Sequence, residues 1–221
     1  HSGLVSSLAS DSAKIYCSEV DAEYINIQKD HWEKVRVFAQ TGGFPEKELQ
    51  EAINRHPGYK YSVEKHVRFS FVQENDIIEV GNYRFRCVET PGHTKGHVSL
   101  YEENKKIFLS GDHILGNITP NISLIRDEEG ENPLDSYLKS LDKVNDFEIG
   151  IVLPGHRSLI KDHKKRIDEL KRHHQVRAEE VLSILADNGW KSAYEVAAEM
   201  TWDMTYKSFD LFPVAQKWFA T

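Results

Sequence analysis

An α/β sandwich followed by a small helical domain is the fold class this sequence predicts, and three observations predict it. Residues 66–112 hold five short β-prone runs, HVRFSFV, DIIEV, YRFRCVET, HVSLYEE and KIFLSGD, parted by turn residues such as Glu74-Asn75-Asp76 and Gly81-Asn82. A helical pattern, LDSYLKSLDKV, then leads into a buried-looking strand, IGIVLPG, which gives residues 1 to about 158 an α/β texture. After Ser158 the pattern is helical to the end.

Taken in order, the opening SGLVSSLAS reads as a short helix with Leu4, Val5 and Leu8 on one face, and AKIYC as extended. Ser18 is placed to cap a helix from Glu19 to about Phe38, with Tyr24, Ile27, Val35 and Phe38 at loosely helical spacing. Residues 42–62 read as a loop, a short helix and another loop, an insertion outside the core. Behind the strands, a long helix is expected near 162–187, where Ile167, Leu170, His174, Ala178, Val181 and Leu185 recur at three- and four-residue steps. Gly189 should stop it, Ser192 and Glu195 should form a capping box for a helix to about Met200, and a last helix should run near 207–220. Two domains follow, 1–158 and 159–221.

Composition sets limits on function. With 221 residues, 39% hydrophobic and 29% charged, the chain is an ordinary globular protein. No apolar run approaches the roughly 18–20 residues that span a bilayer, and the start lacks the basic and apolar regions of a signal peptide, so a cytoplasmic protein with no membrane contact is expected. Cys17 and Cys87, the only two cysteines, lie far apart within apolar runs, which is the spacing of buried thiols rather than of a zinc ribbon. The net charge of −7 disfavours indiscriminate nucleic-acid binding, since Lys and Arg must neutralise phosphates there.

The 11 histidines carry more information. In VETPGHTKGH, IFLSGDHIL and IVLPGHRSL, a β-prone run ends in a glycine-containing turn that carries a metal-competent side chain: His93, Asp112 and His156. Glycine lets the backbone turn sharply, so three such turns can converge on one point. Neutral imidazole plus carboxylate oxygen suits borderline divalent metals, with a position left open for water. His97 opens a strand run and reads as structural; His113 follows Asp112 on extended backbone and should point the other way.

The motifs TPGHTKGH at 90–97, SGD at 110–112 and LPGH at 153–156 stand in the order found in the metallo-β-lactamase-fold hydrolases, and the chain resembles that family. NITPNISL at 117–124 and HHQVR at 173–177 resemble a branch with a helical, winged-helix-like C-terminal domain. The resemblance implies an αββα sandwich. It also implies that the chain begins inside the family's first motif, at its last histidine, His1, with the first strands and three ligands upstream. It implies that His93 completes the first metal's imidazole set, that Asp112 bridges both metals, and that His1 and His156 bind the second. Two divalent ions, zinc first with iron or manganese as alternatives, would then ionise a bound water as the nucleophile, with no serine or cysteine needed. The reaction implied is hydrolysis of a thioester, ester or lactone, on a small acyl-type substrate.

Other readings are kept beside it. The stretch 161–177 carries seven Lys or Arg against three Asp or Glu, which is a wet helix face or a positioning surface for RNA, making a metal-dependent endoribonuclease or phosphodiesterase the rival enzyme. An iron-binding redox relative or a non-catalytic binding protein is the rival of another class. Phe44, His56, Tyr59 and Tyr61 are either a lid or ordinary loop packing. Arg157 stands where relatives often have Gly, and the oligomeric state is open, a homodimer being one option.

Overall fold

The computed structural model describes residues 5, 12–26, 30–60, 66–122, 124, 132–203 and 205–221. Its centre is a five-stranded sheet of β3 (Ile77–Val80), β4 (Tyr83–Glu89), β5 (Val98–Glu102), β6 (Ile107–Gly111) and β7 (Ile151–Pro154), in that spatial order. The first three pairings are antiparallel and the last, β6 with β7, is parallel. Sequential strands pair because the turns between them are short; the β6–β7 crossover is parallel because a helix intervenes. A separate parallel pair joins β1 (Tyr16–Cys17) to β2 (Ser70–Phe71).

One face of the sheet is covered by α5 (Pro133–Asn145) and the first turns of α6 (His163–Asn188). Val88, Phe108 and Val152 from the strands meet Tyr137, Leu141 and Val144 of α5 and Ile167 and Leu170 of α6, all essentially without exposure. Both helices start on side-chain caps: Asn132 accepts from the Asp135 amide with Pro133 behind it, and Asp162 accepts from the Lys165 amide. Gly189 ends α6 at φ +75, and the Ser192–Glu195 capping box opens α7 (Ala193–Glu199).

Two expectations need correction, and two others fall partly outside the described residues. The helix expected from Glu19 to about Phe38 is described in two segments, α1 (Glu19–Asn26) and α2 (Asp30–Thr41), with residues 27–29 outside the described residues; the Asn26 side chain donates to the Val67 carbonyl and accepts from its amide. The last helix is shorter than 207–220: a 3-10 turn at Phe209–Leu211 precedes α8 (Val214–Ala220), because Pro213 forces Phe212 out of helical geometry. Of the opening helix, only Val5 is described, as helical.

Residues 42–60 are not peripheral to a core. α3 (Glu46–Arg55) buries Leu49, Ala52 and Ile53 at three- and four-residue steps, and α4 (Pro57–Lys60) follows it. With Phe44, these pack on Tyr194, Val214 and Trp218 from the C-terminal helices. Lys217, only 5% exposed, donates to both carboxylate oxygens of Glu48 at 3.0 and 2.9 Å. The aromatic set therefore packs rather than forming a lid: Phe44 meets Tyr194 and Trp218 edge-on, His56 meets Trp32 and Trp218, and Tyr59 meets Trp32. Tyr61 lies outside the described residues. No helix among the described residues is long and apolar enough to cross a membrane.

Candidate metal centre

Strand direction assembles the site. Because β4 and β6 are both antiparallel to β5, they run the same way, and β7 runs parallel to β6. All three strands thus end at one edge of the sheet, and the three turns that carry His93, Asp112 and His156 leave from those ends. The β6–β7 register shifts between Leu109 and Gly111, and the Gly155 amide donates to the Gly111 carbonyl at 2.8 Å, which sets Asp112 and His156 side by side.

The three side chains meet. His93 Nε2 lies 3.4 Å from Asp112 Oδ2, and His156 Nε2 lies 3.6 Å from Asp112 Oδ1. Both separations are too long for hydrogen bonds. They match the roughly 3.3–3.5 Å expected between two donors that each sit about 2.0–2.2 Å from one tetrahedral zinc. The orientation of His93 is set by a hydrogen bond: Nδ1 lies 2.7 Å from the Asn121 carbonyl, which can only accept, so Nδ1 donates and Nε2 is turned towards the carboxylate. Among the described residues no group of three or more His, Cys, Asp or Glu side chains rings one point; each oxygen of Asp112 instead faces one imidazole. Two imidazoles and a carboxylate are the donor types that a borderline divalent cation takes. His1 lies outside the described residues.

Two glycines make the approach feasible. A Cβ on Gly155 would stand 2.8 Å from Asp112 Oδ1, and one on Gly92, at φ +146, would stand 2.5 Å from the Tyr137 Cβ. Behind the turns, the Tyr137 hydroxyl donates to the His113 carbonyl at 3.1 Å, so α5 braces the turns of His93 and Asp112 together. From the other side Asp21 of α1 clasps the TPGHTKG loop: Thr94 donates to Oδ2 at 2.5 Å and the Gly96 amide to Oδ1 at 3.0 Å. Asp21, Asn121 and Tyr137 carry no signal of this role in the sequence. Asp21 lies more than 70 residues from its partners, and Asn121 acts through a backbone carbonyl that any residue would provide.

The remaining histidines have other surroundings. His97 shares a hydrogen bond with Thr90, Nδ1 to Oγ1 at 2.8 Å, and Thr90 is linked in turn to Ser99 at 2.8 Å. Burial, reinforced by His93 and opposed by Asp112, pushes its pKa down to about 4, so it is neutral at physiological pH. His113 has no exposure and lies edge-on to Tyr137 in the core, with burial holding its pKa well below the usual value. His174 also packs edge-on against Tyr137, and it lies next to His173. Cys87 is buried and Cys17 half-buried; both thiols are free, and burial raises both pKa values, that of Cys17 to about 11.

Comparison with known proteins points the same way. The family model of the metallo-beta-lactamase superfamily matches residues 13–156. The crystal structure of a metallo-beta-lactamase family protein from Thermus thermophilus is similar with a TM-score of 0.76 at 27% identity, covering 99% of this chain and 67% of that one. The beta-lactamase-like protein 2 homolog of Caenorhabditis elegans is 29% identical over 121 residues, 55% of this chain and 38% of its own length. The atrochrysone carboxyl ACP thioesterase of Aspergillus fumigatus is 25% identical over 157 residues, 70% of this chain and 45% of its own length. The chain thus spans under half the length of these two relatives.

Proposed function

Because the chain belongs to the metallo-beta-lactamase superfamily, whose model covers residues 13–156, we propose that it is a metal-dependent hydrolase that holds two divalent cations, zinc first, and cleaves a thioester, ester or lactone. The observation that carries this reading is the approach of two imidazole Nε2 atoms to opposite oxygens of Asp112 at 3.4 and 3.6 Å. In it His93 and His156 would each hold a cation, Asp112 would be shared between them, and His1 would join His156. Cations held there supply Lewis acidity and lower the pKa of water from about 16 to about 7.

The protein's own groups do the positioning. The Asn121 carbonyl keeps the His93 ring turned to the carboxylate, and Tyr137 and Asp21 fix the loop that carries it. Asp112 is 9% exposed, so its charge acts where water screens it little. The His156 side chain is 46% exposed and marks the side from which a substrate can arrive. Neither cysteine is a thiolate at neutral pH, so neither serves as an activated nucleophile.

The acyl reading draws on the relative named as a thioesterase. The ribonuclease reading has less support, since three of the seven cations in 161–177 have intramolecular partners: Arg166 donates to the Leu115 and Ile118 carbonyls, Lys171 pairs with Asp142, and Arg177 pairs with Glu180. The test is turnover of an acyl thioester, a lactone and a labelled single-stranded RNA, with and without chelator. Thioester or lactone cleavage should vanish on chelation and return with zinc. RNA cleavage abolished by His156→Ala, with no ester turnover, would overturn the reading. Stoichiometric iron with no hydrolysis would favour oxidative chemistry instead.

A further inference from the structure

We propose that Arg157 is a specificity-determining residue of this site and selects acyl substrates that carry a carboxylate or phosphate near the scissile bond; the inference rests on the hydrolase reading above. Among the described residues three non-glycines have positive φ: Asn75, Lys106 and Arg157. Asn75 tolerates this conformation readily, and Lys106 lies in the β5–β6 turn paired to Glu148. Arg157, at φ +71, directly follows His156 at the candidate centre.

The loop around it cannot relax. Val152 and Ile160 exchange backbone hydrogen bonds at 2.8 and 3.1 Å, closing the return, and the Gly155 amide is tied to Gly111 at 2.8 Å. On the far side Ser158 fits against Gly116 so closely that a Cβ there would lie 2.8 Å from the serine Oγ. A strained conformation persists where its surroundings over-determine it, and such positions concentrate at functional sites. Arg157, next in the chain to His156, is exposed and makes no hydrogen bond or ion pair with any described residue. By contrast Arg166, Lys171 and Arg177, on the helix that follows, are all engaged.

The charge balance gives this guanidinium a role. A chain of net charge −7 repels an approaching anion, so an anionic substrate needs a local cation beside the reacting bond. A planar guanidinium fork matches the oxygens of a carboxylate or phosphate in a way an ammonium does not.

The test compares wild type, Arg157→Gly and Arg157→Lys on three thioesters: the glutaryl ester of N-acetylcysteamine, with a carboxylate; butyryl-coenzyme A, with phosphates; and the neutral butyryl ester of N-acetylcysteamine. Wild type should prefer an anionic member, and the preference in kcat/KM should fall about tenfold in Arg157→Gly, mainly through KM, and less in Arg157→Lys. The arm that loses its preference identifies carboxylate or phosphate. Calorimetric titration with glutarate and with the S-ethyl thioether of coenzyme A should weaken by a similar factor for one of the two. The melting temperature of Arg157→Gly should be no lower than wild type, since glycine relieves the strain. No turnover of any thioester by wild type would defeat the hydrolase reading, and the titrations would still decide the role of Arg157. Equal losses on anionic and neutral thioesters, or unchanged binding of both probes, would overturn it.

Discussion

The sheet edge that gathers His93, Asp112 and His156 and the aromatic cluster that joins residues 42–60 to the C-terminal helices are built by opposite means. At the edge, each candidate side chain sits in a short glycine-containing turn one to four residues past a strand, and strand direction brings the three turns together. In the cluster, Phe44 is buried by Tyr194 and Trp218, far along the chain, and no local pattern announces the contact. The candidate site is written in short motifs, whereas the packing of the helical part is written in pairs that only the folded chain brings together. Changes at the edge should therefore alter activity with little loss of fold, and changes in the cluster the reverse.

The largest expected effect is at the edge. Asp112→Ala should reduce hydrolysis by well over about 100-fold, since removing even the groups that merely orient metal ligands costs 10–100-fold, and Asp112 contacts both imidazole positions directly. Circular dichroism should stay native; a variant that is inactive because it is unfolded would blur the contrast. Phe44→Ala probes the cluster: deleting a core phenylalanine costs about 3–5 kcal/mol, read as a lowered urea midpoint, while kcat of the folded fraction stays at the wild-type value. A large drop in kcat there would mean that the two regions are coupled. Gly155→Ala sharpens the same contrast, because its Cβ would press on Asp112 Oδ1. Metal affinity should fall about 10–100-fold, measured by competition with a chelating dye.

How much of this was legible follows the same division. Strands β3 to β7, the α5 and α6 helices, the Gly189 stop and the Ser192–Glu195 box rest on local rules and are found close to where they were expected, whereas the run HVRFSFV forms only the two-residue β2, paired with β1 outside the main sheet. The convergence of His93, Asp112 and His156 was legible because each turn repeats one design. What was not legible depends on partners far away. The amphipathic helix within 42–62 read as peripheral since its apolar face is short and its partners lie in the last 30 residues. Asp21 reads as one more acid in the first turn of a helix until Thr94 and Gly96 fold against it. Pro213 lies inside the span expected to be helical, 207–220, and the structure obeys this breaker.

The smallest effect is a pH dependence shared by the buried histidines. Burial, with His173 adding to it, pushes the pKa of His174 from 6.5 to about 4. Between those values the unfolded chain binds a proton that the folded chain does not, so the stability present above pH 6.5 is progressively lost as pH falls towards 4. The urea midpoint should drop from pH 7 to pH 5, and His174→Leu should drop less over the same interval. An identical slope in both proteins would assign the acid sensitivity to the other buried rings, His97 and His113.

The central claim is that one carboxylate serves two cation positions, and metal content tests it most directly. Elemental analysis after zinc loading and desalting should find about two equivalents in wild type, about one in His93→Ala and in His156→Ala, and close to none in Asp112→Ala. Full zinc retention by Asp112→Ala would contradict the account.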